Sequence, residues 1–330
     1  MAKVFVTRRI PEEGLKLLEG KVDLEVWEED RVIPREVLLE RVKGIDALLP
    51  LLTDKIDGEM MDAAGSGLKV IANYAVGYDN IDVKAAIERK IYVANTPGVL
   101  TEAVAEHTFA LMLAIARRIP ESDRFTRAGK YVGWEPMLLL GTEVKDKVLG
   151  VVGLGRIGSR VAEMAAKGMG MKVFYHDPKQ DPEFEKEFGA VYKKELDDLL
   201  KEADFVSIHV PLLPATRHLI NADNLKLMKK TGYLINTSRG PVVEEKALVE
   251  ALKAGTIRGA ALDVFEEEPK LAPGLSELDN VVLTPHTASA TDEARGAMAR
   301  LAAQAILDVL GGKAPENLVN KELAGGGEVE

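Results

Sequence analysis

The segment Val148–Asp177, VLGVVGLGRIGSRVAEMAAKGMGMKVFYHD, constrains the fold more than any other stretch of the chain. An apolar run leads into Gly153-Leu154-Gly155-Arg156-Ile157-Gly158, a small-residue helical pattern follows, and a second apolar run ends on an acid. Glycine-rich turns are common, so G-x-G-x-x-G alone says little; between a strand and a helix it carries a mechanism. Gly153 permits the tight turn, and Gly155 lets the N–H groups opening the helix, at Arg156 and Ile157, approach a pyrophosphate. Gly158 lets helix pack closely on strand. Asp177 stands about 20 residues beyond, where a carboxylate accepts hydrogen bonds from an adenosine ribose. The segment predicts a dinucleotide site in an α/β domain.

A chain of 330 residues exceeds what one core usually serves, so two domains of about 150 residues are expected. The net charge of −10 argues against nucleic acid or an anionic membrane as partner, and leaves any anionic substrate to a few local cations. With no cysteine there is no disulfide framework, thiolate chemistry or Cys-bound metal. MAKVFVTRRI moves straight into a strand pattern without a signal-peptide core, and no apolar run reaches membrane-spanning length, so a cytoplasmic protein is expected.

Along the chain, the apolar runs Val4–Val6, Leu24–Trp27, Ala47–Leu52, Leu68–Ala72 and Ile91–Ala94 alternate with helical spacing at Glu12–Leu18, Arg35–Arg41 and Asp82–Arg89. This βα alternation implies a parallel sheet covered on both faces. Thr101–Arg118 reads as a helix apolar on nearly every side, hence buried, between domains or subunits. Pro120–Lys147 reads as irregular, an apolar loop holding Trp134 and suited to function or to an oligomer contact. A second series has strands at Val148–Val152, Lys172–Tyr175, Phe205–His209, Tyr233–Asn236, Gly259–Leu262 and Val281–Leu283, with a clear helix at Val243–Ala254. Thr291–Leu310 is one more helix, after which the Gly325-Gly326-Gly327 tail is expected to be disordered. Because the first series precedes the nucleotide series and this helix follows it, the chain is expected to return to the first domain.

Ligands of open α/β sheets bind outside the carboxyl ends of the strands. The candidate residues fall there: Asp177, Val210-Pro211, Thr237-Ser238-Arg239-Gly240, Asp263 and Pro285-His286 in the second series, Leu51-Leu52-Thr53 and Tyr74-Ala75-Val76-Gly77 in the first. Two such edges facing each other would make a cleft. A lone histidine in an apolar run is more often structural, but His286 follows a strand and a proline, whereas His107, His176, His209 and His218 have nothing comparable around them. Hydride transfer to a ketone creates an alkoxide that needs a proton, and an imidazole can supply it near neutral pH. Glu266, Glu267 and Glu268 are all candidates for a carboxylate that favours the imidazolium. Arg239 suits a substrate carboxylate by its planar fork, or else an ion pair at the domain edge. Gly77 either shapes a turn or exposes N–H groups that cradle a carboxylate.

Taken together, Asn73-Tyr74-Ala75-Val76-Gly77-Tyr78-Asp79-Asn80, Gly153–Gly158, Asn236–Gly240, Asp263-Val264-Phe265-Glu266-Glu267-Glu268-Pro269 and Thr284-Pro285-His286 stand in the order and spacing of the D-isomer-specific 2-hydroxyacid dehydrogenases. The chain resembles that family over about residues 3–320, and within it the glyoxylate/hydroxypyruvate reductases most. The resemblance implies a catalytic set of Arg239, which holds the 2-keto acid, His286, the proton donor, and Glu268, which hydrogen-bonds that histidine. It implies carboxylate binding at Val76 and Gly77 with Leu52 nearby, and cofactor contacts at Thr101, Val210, Pro211, Thr216, Thr237, Asp263, His286 and Ala288. It further implies a homodimer built on the second domain, with Trp134 reaching the partner's site. Two positions depart from the family pattern. Ala288 stands where many relatives have glycine, and Asp177 stands where NADPH-preferring relatives have a neutral residue.

The expectation is therefore an α/β protein of two doubly wound parallel-sheet domains with a cleft between them: a discontinuous flavodoxin-like substrate-binding domain, residues 1–99 plus 290–330, and a Rossmann NAD-binding domain, residues 100–289. It would reduce glyoxylate or hydroxypyruvate to the D-2-hydroxy acid with NADH in preference to NADPH, because a carboxylate at Asp177 repels a 2′-phosphate. No metal, nucleic acid or membrane is required. 3-Phosphoglycerate, D-lactate and phosphite dehydrogenases share the scaffold; the regulatory domain often appended to the first is not expected here. A nucleotide-sensing corepressor is the alternative of another class.

Overall fold

The computed structural model describes residues 1–324, and the Gly325-Gly326-Gly327 tail lies outside the described residues. The chain divides into two compact units, one formed by Met1–Leu100 and the chain from Ala290 onward, the other by Thr101–Ser289.

In the first unit β1 (Lys3–Val6), β2 (Asp23–Val26), β3 (Ala47–Leu49), β4 (Val70–Ala72) and β5 (Tyr92–Ala94) form one sheet in the order β2-β1-β3-β4-β5. All its ladders are parallel, and the order is that of flavodoxin-like sheets. Every residue of β3 and β4 is buried, the signature of a strand covered on both faces. The crossovers carry α1 (Glu12–Leu18), α2 (Arg35–Arg41), α3 (Gly58–Ala64) and α4 (Val83–Glu88). Asp57 and Asp82 start the last two by accepting the N–H groups of Met60 and Ala85.

The second unit opens with α5 (Thr101–Ala116) and α6 (Ile119–Arg127). Its sheet is made of β6 (Val148–Val152), β7 (Lys172–His176), β8 (Val191–Tyr192), β9 (Phe205–Ile208), β10 (Tyr233–Asn236), β11 (Gly259–Leu262) and β12 (Val281–Leu283). These seven strands are all parallel in the order β8-β7-β6-β9-β10-β11-β12, reversing direction between β6 and β9 as a Rossmann sheet does. Between them run α7 (Arg156–Glu163), α8 (Pro182–Phe188), α9 (Leu196–Glu202), α10 (Ala222–Leu227) and α11 (Glu245–Lys253). One apolar layer joins the sheet to α5 and α7, the other joins it to α9, α10 and α11. The apolar helix α5 buries Phe109, Leu111, Met112 and Ile115 and packs on α7, β10, β11 and β12.

Pro120–Lys147 is not irregular throughout, since α6 occupies its start. Pro120 sits in the first turn, where its missing N–H costs nothing, and Arg127 pairs with Asp123 one turn back at 2.8 Å. The helix buries no residue, so it has no apolar stripe for periodicity to detect.

The final helix, α12 (Asp292–Leu310), is capped by Thr291 and crosses α1 at Gly14, where a Cβ would lie 2.6 Å from the Ala299 carbonyl oxygen. Beyond it the chain runs antiparallel beside β5. There the buried Asn320 side chain accepts from Val93 N–H and donates to the Ile91 carbonyl, each at 2.8 Å. Leaving such buried groups unpaired would cost about 1–3 kcal/mol each.

Candidate active site

At the carboxyl end of β6 the three glycines have three different surroundings. Gly153 takes φ +94°, and a Cβ there would meet the His209 carbonyl oxygen at 2.9 Å. Gly158 faces the Gly153 carbonyl so closely that a Cβ would lie 2.0 Å from its oxygen. Around Gly155 nothing lies within 4 Å of that position, so the first turn of α7 stands open. Asp177, just after β7, is held by this loop and by its own turn: its Oδ2 accepts Leu154 N–H at 2.8 Å and its Oδ1 accepts Lys179 N–H at 3.1 Å.

The edge of β11 and β12 carries the densest polar network. Asp263 is fully buried, and burial alone would raise its carboxyl pKa. Four donors reverse that and hold it below the usual carboxylate range: His107, Thr284, and the N–H groups of Thr287 and Ala288. Thr284 Oγ1 donates to Oδ1 at 2.6 Å, while the Thr287 and Ala288 amides reach the two oxygens at 2.8 Å each. The carboxylate thus fixes the turn carrying His286, whose own N–H donates to the Asp263 carbonyl at 2.8 Å and whose φ is +56°.

His286 Nδ1 lies 2.9 Å from Glu268 Oε2. Glu268 Oε1 accepts Phe265 N–H at 3.0 Å, so both carboxylate oxygens are placed. Burial would raise the Glu268 carboxyl, but the His286 hydrogen bond and charge, the Phe265 amide and the field of Arg239 pull it below its ordinary value of 4.5. The other two glutamates are disposed differently. Glu266 binds His218, and the Glu267 side chain has no such histidine partner among the described residues.

Arg239 follows β10 in a turn built by buried Asn236, which donates to the Arg239 carbonyl at 2.9 Å and accepts from Ser238 N–H and Oγ. Thr108 gives its hydroxyl hydrogen to the Val104 carbonyl, so the Thr237 hydroxyl, 3.0 Å away, is the donor between the two. After β9, Thr216 Oγ1 stitches the loop by donating to the Pro211 carbonyl at 2.6 Å and accepting Leu213 N–H at 2.8 Å. Thr101 and Val210 are half-buried, Ala288 is buried, and Arg156 and Pro211 are exposed. Trp134, beyond α6, is 82% exposed.

In the first unit, Asn73 and Asn95 hold the loop after β4 by its carbonyls. Asn73 Nδ2 donates to the Gly77 carbonyl at 2.9 Å and Asn95 Nδ2 to that of Val76 at 2.7 Å. Among the described residues no acceptor takes the Val76 or Gly77 N–H, which leaves two donors side by side. The neighbouring Leu51–Asp54 turn, with half-buried Leu52, is tied by the buried Asp54 carboxylate, which accepts from Thr7 Oγ1 and Leu51 N–H.

Residues 109–288 match the family described as D-isomer specific 2-hydroxyacid dehydrogenase, NAD binding domain. Over 325 residues the chain is 53% identical to a glyoxylate reductase of Thermococcus litoralis, covering 97% of each protein. The chain belongs to the D-isomer specific 2-hydroxyacid dehydrogenases. Among solved structures, this dehydrogenase matches the TT0316 protein of Thermus thermophilus at TM-score 0.89 and 46% identity, covering 96% of this chain and 99% of that one. It also matches an NADPH-dependent glyoxylate/hydroxypyruvate reductase of Sinorhizobium meliloti, in complex with NADP and malonate, at TM-score 0.85 and 31% identity, covering 97% of each.

The dehydrogenase's second unit carries the family's dinucleotide domain, and the open helix start at Gly155 fits such a ligand. Among the described residues no group of three or more His, Cys, Asp or Glu could hold a metal, and no helix is long and apolar enough to cross a membrane. None of the other four histidines shares the strand-and-proline setting of His286, but two of them have polar partners that the sequence did not announce. His107 Nε2 lies 3.1 Å from Thr284 Oγ1, beside Asp263, and His218 binds Glu266. Both partners are far away in sequence, so local composition carried no signal. His209 is half-buried with its Nε2 2.8 Å from Ser207 Oγ, desolvation lowering its pKa to about 3, and His176 Nδ1 donates to the Lys193 carbonyl.

The lowered Glu268 pKa sets a direction for stability. A depressed carboxylate contributes fully above its unfolded value, near 4.5, and that contribution is lost as pH falls through the folded value. Glu268→Gln removes a share of the acid-side loss. In denaturation between pH 7 and pH 3, the variant is expected to lose less stability than the parent, most visibly below about pH 4.5.

Proposed function

We propose that the dehydrogenase reduces a small 2-keto acid, glyoxylate or hydroxypyruvate, to the D-2-hydroxy acid with NADH. The observation that carries the reading is the His286–Glu268 pair, 2.9 Å apart beside the Arg239 turn at the carboxyl edge of a dinucleotide-domain sheet. Bound NADH would supply the hydride. The alkoxide left on the substrate would take its proton from His286 Nε2, with Glu268 holding the ring through Nδ1. The Arg239 fork binds the keto acid and polarises its carbonyl. In the first unit, the unpaired N–H groups of Val76 and Gly77, with Leu52 nearby, suit a substrate carboxylate.

Gly153, Gly155, Arg156, Ile157 and Gly158 would hold the pyrophosphate. Val210, Pro211, Thr216, Thr101 and Thr237 would line the rest of the nucleotide, with Asp263 and Ala288 at its nicotinamide end. Asp177 supports NADH over NADPH: its fixed carboxylate can accept from the ribose hydroxyls and repels a 2′-phosphate. About 10- to 100-fold discrimination is expected, or roughly 1.4–3 kcal/mol. The relative from Sinorhizobium meliloti is named as NADPH-dependent, so cofactor choice varies among similar chains and rests here on Asp177. Assays with glyoxylate, hydroxypyruvate, pyruvate and 3-phosphohydroxypyruvate, each with NADH and NADPH, should give the highest kcat/KM for one of the first two with NADH. Comparable values for the two cofactors would overturn the preference. His286→Ala should lower kcat by about 10²–10⁴ with NADH affinity nearly intact, while Arg239→Ala should mainly impair keto-acid use.

The working form we propose is a homodimer built on the second unit, with Trp134 reaching the partner's site. Val132, Trp134 and Met137 are 88%, 82% and 75% exposed within ten residues of chain, an apolar surface that a second copy would cover. Light scattering should give a dimeric mass, and Trp134→Glu should shift it toward monomer; a monomeric parent protein would end this reading.

A further inference from the structure

The loop that carries Glu268 carries a second carboxylate bonded to a second histidine. Glu266, two residues earlier, accepts from His218 Nε2 through Oε1 and from Glu245 N–H, at the start of α11, through Oε2 at 3.1 Å. Burial would raise the Glu266 carboxyl, but His218, the Glu245 amide and the charge of Arg217, 3.6 Å away, hold it below the usual range. Glu245 itself points its carboxylate elsewhere, accepting Ala272 N–H at 3.0 Å.

His218 ends the loop that Thr216 stitches after β9, and it takes φ +51°. Its N–H donates to the Pro241 carbonyl at 2.8 Å, which docks that loop beside the Arg239 turn. The loop bearing both glutamates rests on the same turn: a Cβ on Gly240 would fall 1.9 Å from the Phe265 carbonyl carbon. Phe265 N–H in turn reaches Glu268 Oε1. Between Glu266 and Glu268 there is therefore little slack. Phe265 is pressed on Gly240, Glu266 next to it is fastened to His218 and α11, and Glu268 two residues on holds His286.

We propose that His218 and Glu266 form a positioning pair, which locks the nucleotide-facing Val210–Leu219 loop to the loop bearing Glu268 and so sets the placement of the His286 imidazole. The pair touches no reacting atom. The inference rests on the reading of His286 and Glu268 as the proton-donating pair. A ring held about 1 Å out of place can cost as much as two orders of magnitude in rate, whereas a loosened surface loop costs little.

Kinetics of His218→Ala and His218→Gln, with histidine NMR of the protein free of dinucleotide, test it. His218→Ala should lower kcat at saturating NADH by about 5- to 50-fold with keto-acid KM changed less than about 3-fold, and His218→Gln, which keeps a donor, should recover most of the loss. With only five histidines in the chain, ¹⁵N-imidazole spectra should show the His286 signals displaced in His218→Ala and returned in His218→Gln. Glu266→Gln provides the same test by removing the charge if the alanine variant fails to fold. A kcat within 2-fold of the parent, a loss that glutamine does not relieve, or unmoved His286 signals would overturn the proposal. If His286→Ala is fully active, the proton-donor reading itself falls; if that variant is dead and His218→Ala is normal, only the positioning role falls.

Discussion

The sheet edge that carries His286 hangs on one buried carboxylate. Asp263 has no exposed surface, and an ionised acid there would be strongly unfavourable if its oxygens were left unpaired. Its partners are arranged to prevent that, and two of them, the Thr287 and Ala288 amides, belong to the turn that follows His286. The cost of burying the charge is offset only if that turn keeps its shape. His286 consequently keeps a left-handed backbone and a fixed direction, and Glu268 meets its Nδ1 at 2.9 Å. In the role proposed for His286, preorganisation of this kind matters because a proton donor gains rate from being placed before the substrate arrives.

A similar economy of space governs the nucleotide edge. Gly158 has no room for a side chain because the Gly153 carbonyl lies against it, and Gly153 has none because of its left-handed φ and the His209 carbonyl; the first contact brings the start of α7 onto the end of β6. The open surface at Gly155 is the complement of that crowding. Asp177 closes the arrangement from β7 by accepting the Leu154 amide, so the residue proposed to read the ribose is also part of the glycine loop's scaffold. Its replacement would therefore disturb loop geometry together with cofactor choice.

Both parallel sheets and the order of their elements were legible in the sequence, since strands covered on both faces leave uninterrupted apolar runs such as Val70-Ile71-Ala72. Site candidates were legible for a related reason: strands ending at one sheet edge put their following residues together, as Asp177, Arg239 and His286 illustrate. Elements with no apolar stripe were not. The polar helix α6 carried its signal in Pro120 and the Asp123–Arg127 pair, and the two-residue β8 is too short to show any period. Long-range polar pairing was equally silent. Nothing local to His107 or His218 announces Asp263 or Glu266, and three consecutive glutamates could be told apart only by the resemblance until their partners were in view.

In the proposed reaction, hydride reaches the carbonyl carbon of a small 2-keto acid from one face and the proton is delivered to its oxygen. The most direct measurement is the isotopic content and configuration of the glycerate formed from hydroxypyruvate with NADH deuterated at the transferable C4 position. D-Glycerate with one deuterium at C2 is expected. L-Glycerate, or D-glycerate without deuterium at C2, would contradict it.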